Sequence, residues 1–279
     1  MKNLIKNTVK SSIKFIIKYL GKTVVGRYVY RQLIDDAMSQ TQTTMYKDIK
    51  LNFTVPNTLN KYRIDTYSTK EPETLEWIDA ISEGSILWDI GANVGLYSCY
   101  AAKARNCQVF AFEPSVFNLE LLARNLFING LSEQVTIIPL PLSDKLSINC
   151  LNMSTTEWGG ALSTFGESYG QDGNSLEKVF TFNTIGLSMT DLISHLNLPM
   201  PDYIKMDVDG IEHLILKGGD AVLKNVKGIL IEINEDFDKQ IEDSTRYLSE
   251  AGLVFKEKRH AEEFNGSAWT TVSGTLCNR

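Results

Sequence analysis

The sequence predicts an α/β protein built on a mostly parallel sheet with helices on both faces. Short apolar runs with strand character alternate with helical segments through the central part of the chain. Several of these runs end in glycine or in acidic residues, as parallel strands do where their carboxyl ends meet a ligand. Two more strand-like segments, 253–258 and 268–274, come last with no helix between them and predict a terminal antiparallel hairpin.

The predicted elements follow in order along the chain. Residues 1–60 are expected to form an N-terminal extension, with helices at 1–22 and 24–38 and a strand-like segment at 49–55. Residues 61–279 are expected to form the main domain, which opens with a second strand-like segment at 63–67 and a helix at 73–81. Strands are then predicted at 86–90, 108–112, 135–138, 203–206 and 228–233, helices at 116–128, 189–196 and 235–250, and a long irregular region at 151–179.

Composition and charge exclude several classes of function. The chain has 279 residues, of which 43% are hydrophobic, enough for one large domain with a sizeable core. Its four cysteines form no C-x-x-C pair and its three histidines are isolated, which argues against a zinc site or a disulfide framework. Beyond residue 34, 20 basic residues face 34 acidic ones, a formal charge of −14, so no nucleic-acid partner is expected. The expected location is cytoplasmic.

The first 34 residues carry the opposite charge, with eight Lys or Arg and no acid. Lysines recur at every fourth position from Lys2 to Lys22, and apolar residues such as Ile13 and Ile16 share one face of the predicted helix. Two interpretations stay open: a helix at 1–22 that lies on an anionic membrane surface, or an amphipathic helix that packs on protein. No apolar run reaches the ~18 residues of a spanning helix, and no signal-peptide cleavage pattern is present, so any membrane contact is expected to be peripheral.

The most informative segment, 86–96, combines a strand, a glycine turn and the start of a helix. The turn reads D-x-G-x-x-x-G, whereas a dinucleotide pyrophosphate is cradled by G-x-G-x-x-G. A carboxylate at the end of the strand repels a pyrophosphate but suits a cationic, hydroxyl-rich ligand. S-adenosylmethionine carries a sulfonium, an ammonium and ribose hydroxyls, so the turn favours this methyl donor over NAD. The residues assigned to the cofactor here are Asp89, Gly91, Ala92, Asn93 and Gly95.

Polar residues also follow the next two strands. Glu113 comes roughly 20 residues after the glycine turn, at the offset from which an acid accepts both hydroxyls of a ribose. Asn118 follows closely and is a further candidate for cofactor binding. Ser143 and Asp144 end the third strand, where they either contact an adenine amino group or form an ordinary turn.

A cluster of carboxylates follows the strand 203–206. Asp207 ends this strand, and Glu212 begins the next helix, near the positive end of the helix dipole. Because burying such a cluster is costly, a ligand, a metal ion or a lysine is expected beside it, and Lys205 is the structural candidate. Glu232 ends the neighbouring strand and is expected to converge on the same crevice.

Two sequence blocks together resemble one family. The first reads LWDIGANVG at 87–95 with FAFEP at 110–114, and the second reads IKMDVDGIE at 204–212. They are similar to D-[IV]-G-A-N-[IV]-G with A-F-E-P and to I-K-[IML]-D-V-E-G-x-E of the FkbM family of S-adenosylmethionine-dependent methyltransferases. The resemblance covers about residues 73–235, and Asp209 stands where the family commonly has Glu.

The resemblance implies a Rossmann-like class I methyltransferase with a seven-stranded sheet. It implies transfer of a methyl group to a hydroxyl of a sugar, a glycan or glycolipid, or a polyketide-like acceptor. It implies that Asp89 and the glycine turn bind the methionine part of the cofactor and that Glu113 binds the ribose. Glu73 is implied to border the site. Candidates for the base that takes the acceptor proton are Asp207, Glu212 and Glu232. A divalent cation between Asp207 and Glu232 is left open.

Two other functions compete with methyl transfer. An NAD-dependent oxidoreductase would share the sheet but is disfavoured by the absence of G-x-G-x-x-G. A non-catalytic module at a membrane surface would tolerate neutralisation of Asp207 and Glu232 without losing its role. The segment 151–179 either closes over the acceptor, where Trp158, Phe165 or Tyr169 would stack on a sugar face, or is a surface excursion.

Overall fold

The computed structural model describes residues 2–259 and 267–274. Its helices are α1 (Lys2–Leu20), α2 (Val24–Ser39), α3 (Thr58–Asp65), α4 (Pro72–Ala80), α5 (Leu96–Arg105), α6 (Val116–Asn129), α7 (Met189–Leu196), α8 (Glu212–Lys217), α9 (Asp220–Leu223) and α10 (Asp238–Glu250). Its strands are β1 (Thr41–Tyr46), β2 (Ile49–Thr54), β3 (Ile86–Ile90), β4 (Gln108–Phe112), β5 (Val135–Ile138), β6 (Ser147–Met153), β7 (Ser163–Phe165), β8 (Phe180–Gly186), β9 (Tyr203–Met206), β10 (Gly228–Asn234), β11 (Leu253–Arg259) and β12 (Ser267–Gly274).

A seven-stranded sheet in the order β11-β12-β10-β9-β3-β4-β5 organises these elements. Strands β5, β4, β3, β9 and β10 are parallel, and β12 is antiparallel to both of its neighbours. The predicted parallel sheet and terminal antiparallel hairpin are therefore confirmed. Strands β4 and β5 lie on one side of β3, whereas β9 and β10 lie on the other. This reversal of winding opens a crevice at the carboxyl ends of β3 and β9.

Alternate residues of the central strands pack into two separate cores. On β3, Trp88 and Ile90 join one core, while Leu87 joins the other, and β4 divides in the same way. Asp89 therefore faces the second core, beneath α5, and the register of β3 with β9 sets it opposite Lys205. A buried pair of opposite charges thus lies at the switch point of the sheet.

The segment 63–67 is mostly helical, so the predicted strand there was wrong. Asn57 caps α3, because its Oδ1 accepts the Asn60 backbone N–H at 2.9 Å. Ile64 and Tyr67 are both buried in the second core, three residues apart, as on one face of a helix.

The segment 151–179 also differs from its prediction as a long irregular region. Strand β6 pairs with both β7 and β8 to form a three-stranded antiparallel sheet, in the order β7-β6-β8. Strand β8 begins at Phe180, just after the segment, and most of its residues are exposed or half-buried. Residues 154–162, between β6 and β7, cross to the crevice and are called the strap below.

The N-terminal helices present apolar side chains to solvent. Six large apolar side chains between positions 13 and 20 of α1 are 45% to 61% exposed, and Val24 and Val25 at the start of α2 are exposed by 76% and 72%. Within residues 2–259 and 267–274, no helix combines the length and apolar character needed to cross a membrane.

The close approach of the glycine turn to β9 gives a test of the fold. A Cβ at Gly91 would lie 1.7 Å from the backbone oxygen of Asp207, and its φ is +83°. Gly84 has a similar φ of +72° but open space around its Cα. We expect Gly84→Ala to lower the free energy of unfolding by about 1–2 kcal/mol, the left-handed backbone cost alone. Gly91→Ala should lower it by about 3 kcal/mol or more, because a clash adds to that cost.

Chemical denaturation of the two variants beside the unmodified protein measures both values. Equal losses for Gly84→Ala and Gly91→Ala would contradict the packing of the turn against Asp207.

Candidate active site

A cavity of about 360 Å³ lies at the carboxyl ends of β3, β4, β9 and β10. This volume is within the range of small-molecule sites, ~300–1,000 Å³. The glycine turn, Glu113, Asp207 and Glu232 line it, together with apolar residues such as Leu142 and Phe165. The switch point of the sheet therefore holds a mixed polar and apolar cavity, as the strand-end residues predicted.

The glycine turn contributes part of the cavity wall. Gly91, Ala92 and Asn93 line the cavity, and the N–H groups of Gly91 and Ala92 donate to the carbonyl of Phe112 on β4. Gly95 serves packing instead, since a Cβ there would lie 2.4 Å from a methyl carbon of Leu122 on α6. Asn93 has a buried Oδ1 with no hydrogen-bond partner, so the turn offers an acceptor to a ligand.

Glu113 is held rigidly at the end of β4. Its Oε2 accepts the N–H of Asn93 at 2.8 Å, and its Oε1 accepts the N–H of Ser115 at 2.8 Å and the Nδ2 of Asn118 at 3.4 Å. Burial raises the pKa of Glu113 to about 7 against the opposing effect of these donors. A buried carboxyl fixed by backbone donors and lining the cavity suits a ribose diol.

Lys205 is the centre of charge in the site. Its Nζ lies 3.5 Å from Oδ1 of Asp89 and 3.5 Å from Oδ2 of Asp207, and it donates to the Gly91 carbonyl at 3.2 Å. Burial alone would lower the pKa of Lys205, but Asp207 and Asp89 outweigh that effect and raise it. Lys205 is therefore a charged side chain that joins β3, the glycine turn and β9.

Asp207 and Glu232 form a hydrogen-bonded carboxyl pair on the cavity wall. Burial would raise the pKa of Asp207, but the Lys205 ammonium and the hydrogen bond from Glu232 outweigh burial and lower it. Asp207 is consequently ionised near neutral pH. Two carboxyls that face one cavity while sharing a hydrogen bond can hold and move a proton.

Residues 207–211, between β9 and α8, are called the acidic loop; Glu212 follows this loop and does not line the main cavity. Its Oε1 accepts the N–H of Val208 at 2.9 Å, its Oε2 accepts the N–H of Gly210 at 3.0 Å, and Gln240 also donates to Oε2. Burial raises its pKa to about 7. Of the three candidate bases, Asp207 and Glu232 reach the cavity, whereas Glu212 is occupied in shaping the loop that carries Asp207.

Besides Gly95, three residues predicted to bind the cofactor lie outside the cavity lining. Asp89 is buried, and its Oδ2 accepts from Ser98 Oγ at 2.5 Å, so it reaches the cavity through Lys205. Ser143 is buried and follows the lining residue Leu142, and its N–H donates to the carbonyl of Leu187 at 2.8 Å. Glu73 is buried in the first turn of α4, with a pKa raised by burial.

Several residues that line the cavity were not predicted from the sequence, among them Arg63, Glu71 and Tyr97. The Tyr97 hydroxyl donates to Oε2 of Glu71 at 2.8 Å, so Glu71 takes the bordering position that was predicted for Glu73. Tyr97 stands two residues after Gly95, within the first turn of α5, and could have been found there. Arg63 and Glu71 carried no signal, because only the folding of α3 and α4 over the sheet brings them to the site.

The strap contributes Gly160, Ala161 and Leu162 to the cavity wall and is fixed by its main chain. Asn118 accepts the N–H of Gly159 at 3.0 Å and donates to the carbonyl of Gly160 at 3.0 Å, and Asn93 donates to the same carbonyl at 3.0 Å. Asp209 accepts the N–H groups of Leu162 at 2.7 Å and of Ser163, just beyond the strap, at 3.4 Å. Of the aromatic residues predicted to stack on a sugar, Phe165 alone lines the cavity among the residues described.

The described residues contain no group of three or more His, Cys, Asp or Glu that could hold a metal ion. The divalent cation left open between Asp207 and Glu232 thus gains no ligand set from this structure. The same residues do fit the predicted methyl donor. The unpartnered Oδ1 of Asn93, the fixed carboxyl of Glu113 and the acidic strand ends all suit a cation with ribose hydroxyls.

Comparison with known proteins identifies the family of this chain. Residues 89–255, more than half of the chain, match the family model described as the methyltransferase FkbM domain. The hexuronic acid methyltransferase AglP of Haloferax volcanii is 29% identical over 201 residues, which are 72% of this chain and 77% of that protein. The ribosomal protein arginine N-methyltransferase rmt3 of Schizosaccharomyces pombe is 31% identical over 86 residues, 30% of this chain and 16% of that protein.

Among solved structures, M. jannaschii TYW2 in complex with AdoMet covers 83% of both chains with 15% identity and a TM-score of 0.46. The match to the family model extends through β3, β4, the acidic loop and β10, and so includes the whole set of strand ends around the cavity. The chain belongs to the FkbM family of S-adenosylmethionine-dependent methyltransferases.

Proposed function

We propose that this methyltransferase transfers a methyl group to a hydroxyl oxygen of a sugar, either free or within a glycan or glycolipid. The observation that carries the proposal is the Asp207–Glu232 carboxyl pair, which faces the cavity and can accept a proton. AglP, which covers most of its own length in the alignment with this chain, is named for action on a hexuronic acid. A sugar is therefore favoured over a polyketide-like acceptor.

Each cofactor contact is proposed from the geometry of the cavity. The turn at Gly91, Ala92 and Asn93 would hold the methionine part, and Glu113 would accept the ribose hydroxyls. Asp89 would act through Lys205, whose ammonium keeps the turn and the acidic loop in register. S-adenosylmethionine supplies an electrophilic methyl group on a sulfonium.

The carboxyl pair would manage the proton of the acceptor. The acceptor oxygen forms its bond to the methyl carbon as the methyl–sulfur bond breaks, and its proton passes to Asp207. Because Lys205 keeps Asp207 ionised, a proton acceptor is present at neutral pH. The proton then leaves through the Asp207–Glu232 pair to solvent. Alignment of the two reacting groups in the cavity supplies most of the remaining acceleration.

A uronic acid offers a second oxygen nucleophile, its carboxylate, which needs no base. Arg63 and Lys70 line the cavity and would favour a negatively charged sugar at that edge. A hydroxyl acceptor yields a methyl ether, which is stable to alkali, whereas a carboxylate acceptor yields an ester, which alkali cleaves. The two products can therefore be told apart on one sample.

The first prediction concerns the acceptor and the carboxyl pair. With a labelled methyl donor, we expect alkali-stable label in a glycan that contains a uronic acid. Glu232→Gln should lower kcat by about 10²–10⁴ with little change in cofactor Kd, because it removes a carboxyl of the pair but leaves Lys205 and the glycine turn in place. Asp207→Asn should lower kcat at least as far and also weaken cofactor binding, because Lys205 loses one of its two carboxylates. Asp144→Asn is the matched control, since Asp144 also follows a strand of the sheet but pairs with Lys217 away from the cavity.

Label that alkali releases would contradict the hydroxyl acceptor and assign the carboxylate. Full turnover by both Asp207→Asn and Glu232→Gln would contradict the role of the pair as base.

The second prediction follows from the raised pKa of Glu113, about 7. Below that pH the carboxyl is protonated and loses acceptor capacity, so S-adenosylmethionine should bind more weakly as the pH falls from about 8 to about 6.5. Asp209, with a pKa raised by burial to about 6, titrates mostly below this window. Glu113→Gln should bind more weakly at pH 8 and show a flatter pH dependence, measured by titration calorimetry. An unchanged slope in Glu113→Gln would contradict the assignment.

We also propose that the N-terminal arm, helices α1 and α2, makes peripheral contact with an anionic membrane. Eight Lys or Arg and no acid occur in residues 1–34, and the arm exposes apolar side chains along both helices. A second copy of the arm would bring like charges together, whereas anionic headgroups would neutralise them. The body of the chain, with its formal charge of −14, leaves the arm as the surface that anionic lipid attracts.

The third prediction is flotation of the protein with vesicles that contain anionic lipid but not with zwitterionic vesicles. Lys14→Glu combined with Lys18→Glu should lower the bound fraction several-fold, since each cation near the surface contributes about 1 kcal/mol. The same exchange at Lys224 and Lys227, outside the arm, is the control. Equal partitioning of all three proteins, or self-association of the arm in its place, would contradict membrane contact.

A further inference from the structure

The strap is held from two sides by side chains of different origin. Asn93, Asn118 and Asp209, from the region that matches the methyltransferase family, bind its main chain on one side. Helix α3, which precedes that region, binds it on the other side. The residues of α3 that make these contacts belong to neither motif block and precede the region that matches the family.

Four donors from α3 and its cap converge on two consecutive carbonyls of the strap. The Nδ2 groups of Asn57 and Asn60 donate to the carbonyl of Trp158 at 2.9 and 2.8 Å. Nε and Nη2 of Arg63 donate to the carbonyl of Gly159 at 3.1 and 2.6 Å. A carbonyl oxygen has two lone pairs, so both acceptors are saturated, and one of them by a charged fork.

Gly159 is fitted to this contact. Its φ is +82°, and a Cβ there would lie 2.6 Å from Oδ1 of Asn60. Only glycine combines this backbone conformation with so close an approach of the α3 side chain. The next strap residues, Gly160, Ala161 and Leu162, line the cavity, so the bonds from α3 hold a cavity wall in place.

We propose that α3 latches the strap as a lid over the donor site and that Asn60 and Arg63 are positioning residues that govern cofactor exchange. The proposal rests on the assignment of the cavity to S-adenosylmethionine. The cavity has a volume of about 360 Å³ with the strap bound to α3, which leaves room for a ligand against the strap. In this proposal the ligand leaves when the strap opens, which breaks the bonds to α3.

A variant of Asn60 tests the latch without altering a residue that lines the cavity. Arg63 lines the cavity, so its replacement could act on a ligand directly, whereas Asn60 is not among the cavity-lining residues. Asn60→Ala can therefore change ligand release only through the strap. Lys61 provides the control, since it lies between the two on α3 and pairs with Asp65 at 2.8 Å on the surface.

The test is the release of labelled S-adenosylhomocysteine, chased with unlabelled ligand, from the full chain. We expect release about tenfold faster or more from Asn60→Ala and from Arg63→Leu, and unchanged release from Lys61→Ala. Arg63→Lys, which keeps the charge but loses the fork, should restore part of the slow release. Hydrogen exchange of the Gly159 and Leu162 amides in the ligand-free protein should accelerate in the same variants, with unchanged melting temperature.

Normal binding with unchanged release in Asn60→Ala and Arg63→Leu would overturn the latch alone, whatever the exchange of the strap amides. No binding of S-adenosylhomocysteine to the unmodified chain would overturn the donor-site assignment, and the latch with it.

Discussion

The Lys205 ammonium, buried between carboxylates from two neighbouring strands, is the interaction on which the site depends. Asp89 and Asp207 each lie 3.5 Å from it, and it also bonds the carbonyl of Gly91 in the turn between them. Ions in a protein interior are tolerated only when they are paired and hydrogen-bonded. Lys205 therefore fixes the ends of β3 and β9 and the glycine turn relative to one another. A shift of either strand at the switch point would leave a buried charge unpaired.

Two chains of contacts leave this centre and meet again at the strap. From the glycine turn, Asn93 donates to Glu113 through its backbone and to the strap through its side chain. From Asp207, the acidic loop leads to Asp209, which accepts two backbone N–H groups at the other end of the strap. The strap therefore contacts both the glycine turn, which is proposed to hold the methyl donor, and the acidic loop, which carries the proton acceptor Asp207. A ligand that moves the strap would therefore affect both the donor site and the proton acceptor.

Much of this site could be predicted because parallel strands deliver their terminal residues to one edge. That rule brought Glu113, Asp207 and Glu232 to the cavity from the sequence alone. It failed for Asp89, whose carboxylate pairs with Lys205 instead of lining the cavity. It also failed for Glu212 at the start of α8, whose carboxylate accepts backbone N–H groups of the acidic loop. Arg63 could not be placed, because the segment 63–67 was predicted as a strand and its helical cap at Asn57 was overlooked.

The strap is recognised almost entirely by its carbonyl and N–H groups, which every residue type except proline possesses. The side chain of Ala161, which lines the cavity, takes no part in these contacts. Ala161 could therefore be replaced without loss of the hydrogen bonds that hold the strap. Sequence change at this one position would alter the surface that the strap presents to a ligand, while the bonds to its main chain stay as they are.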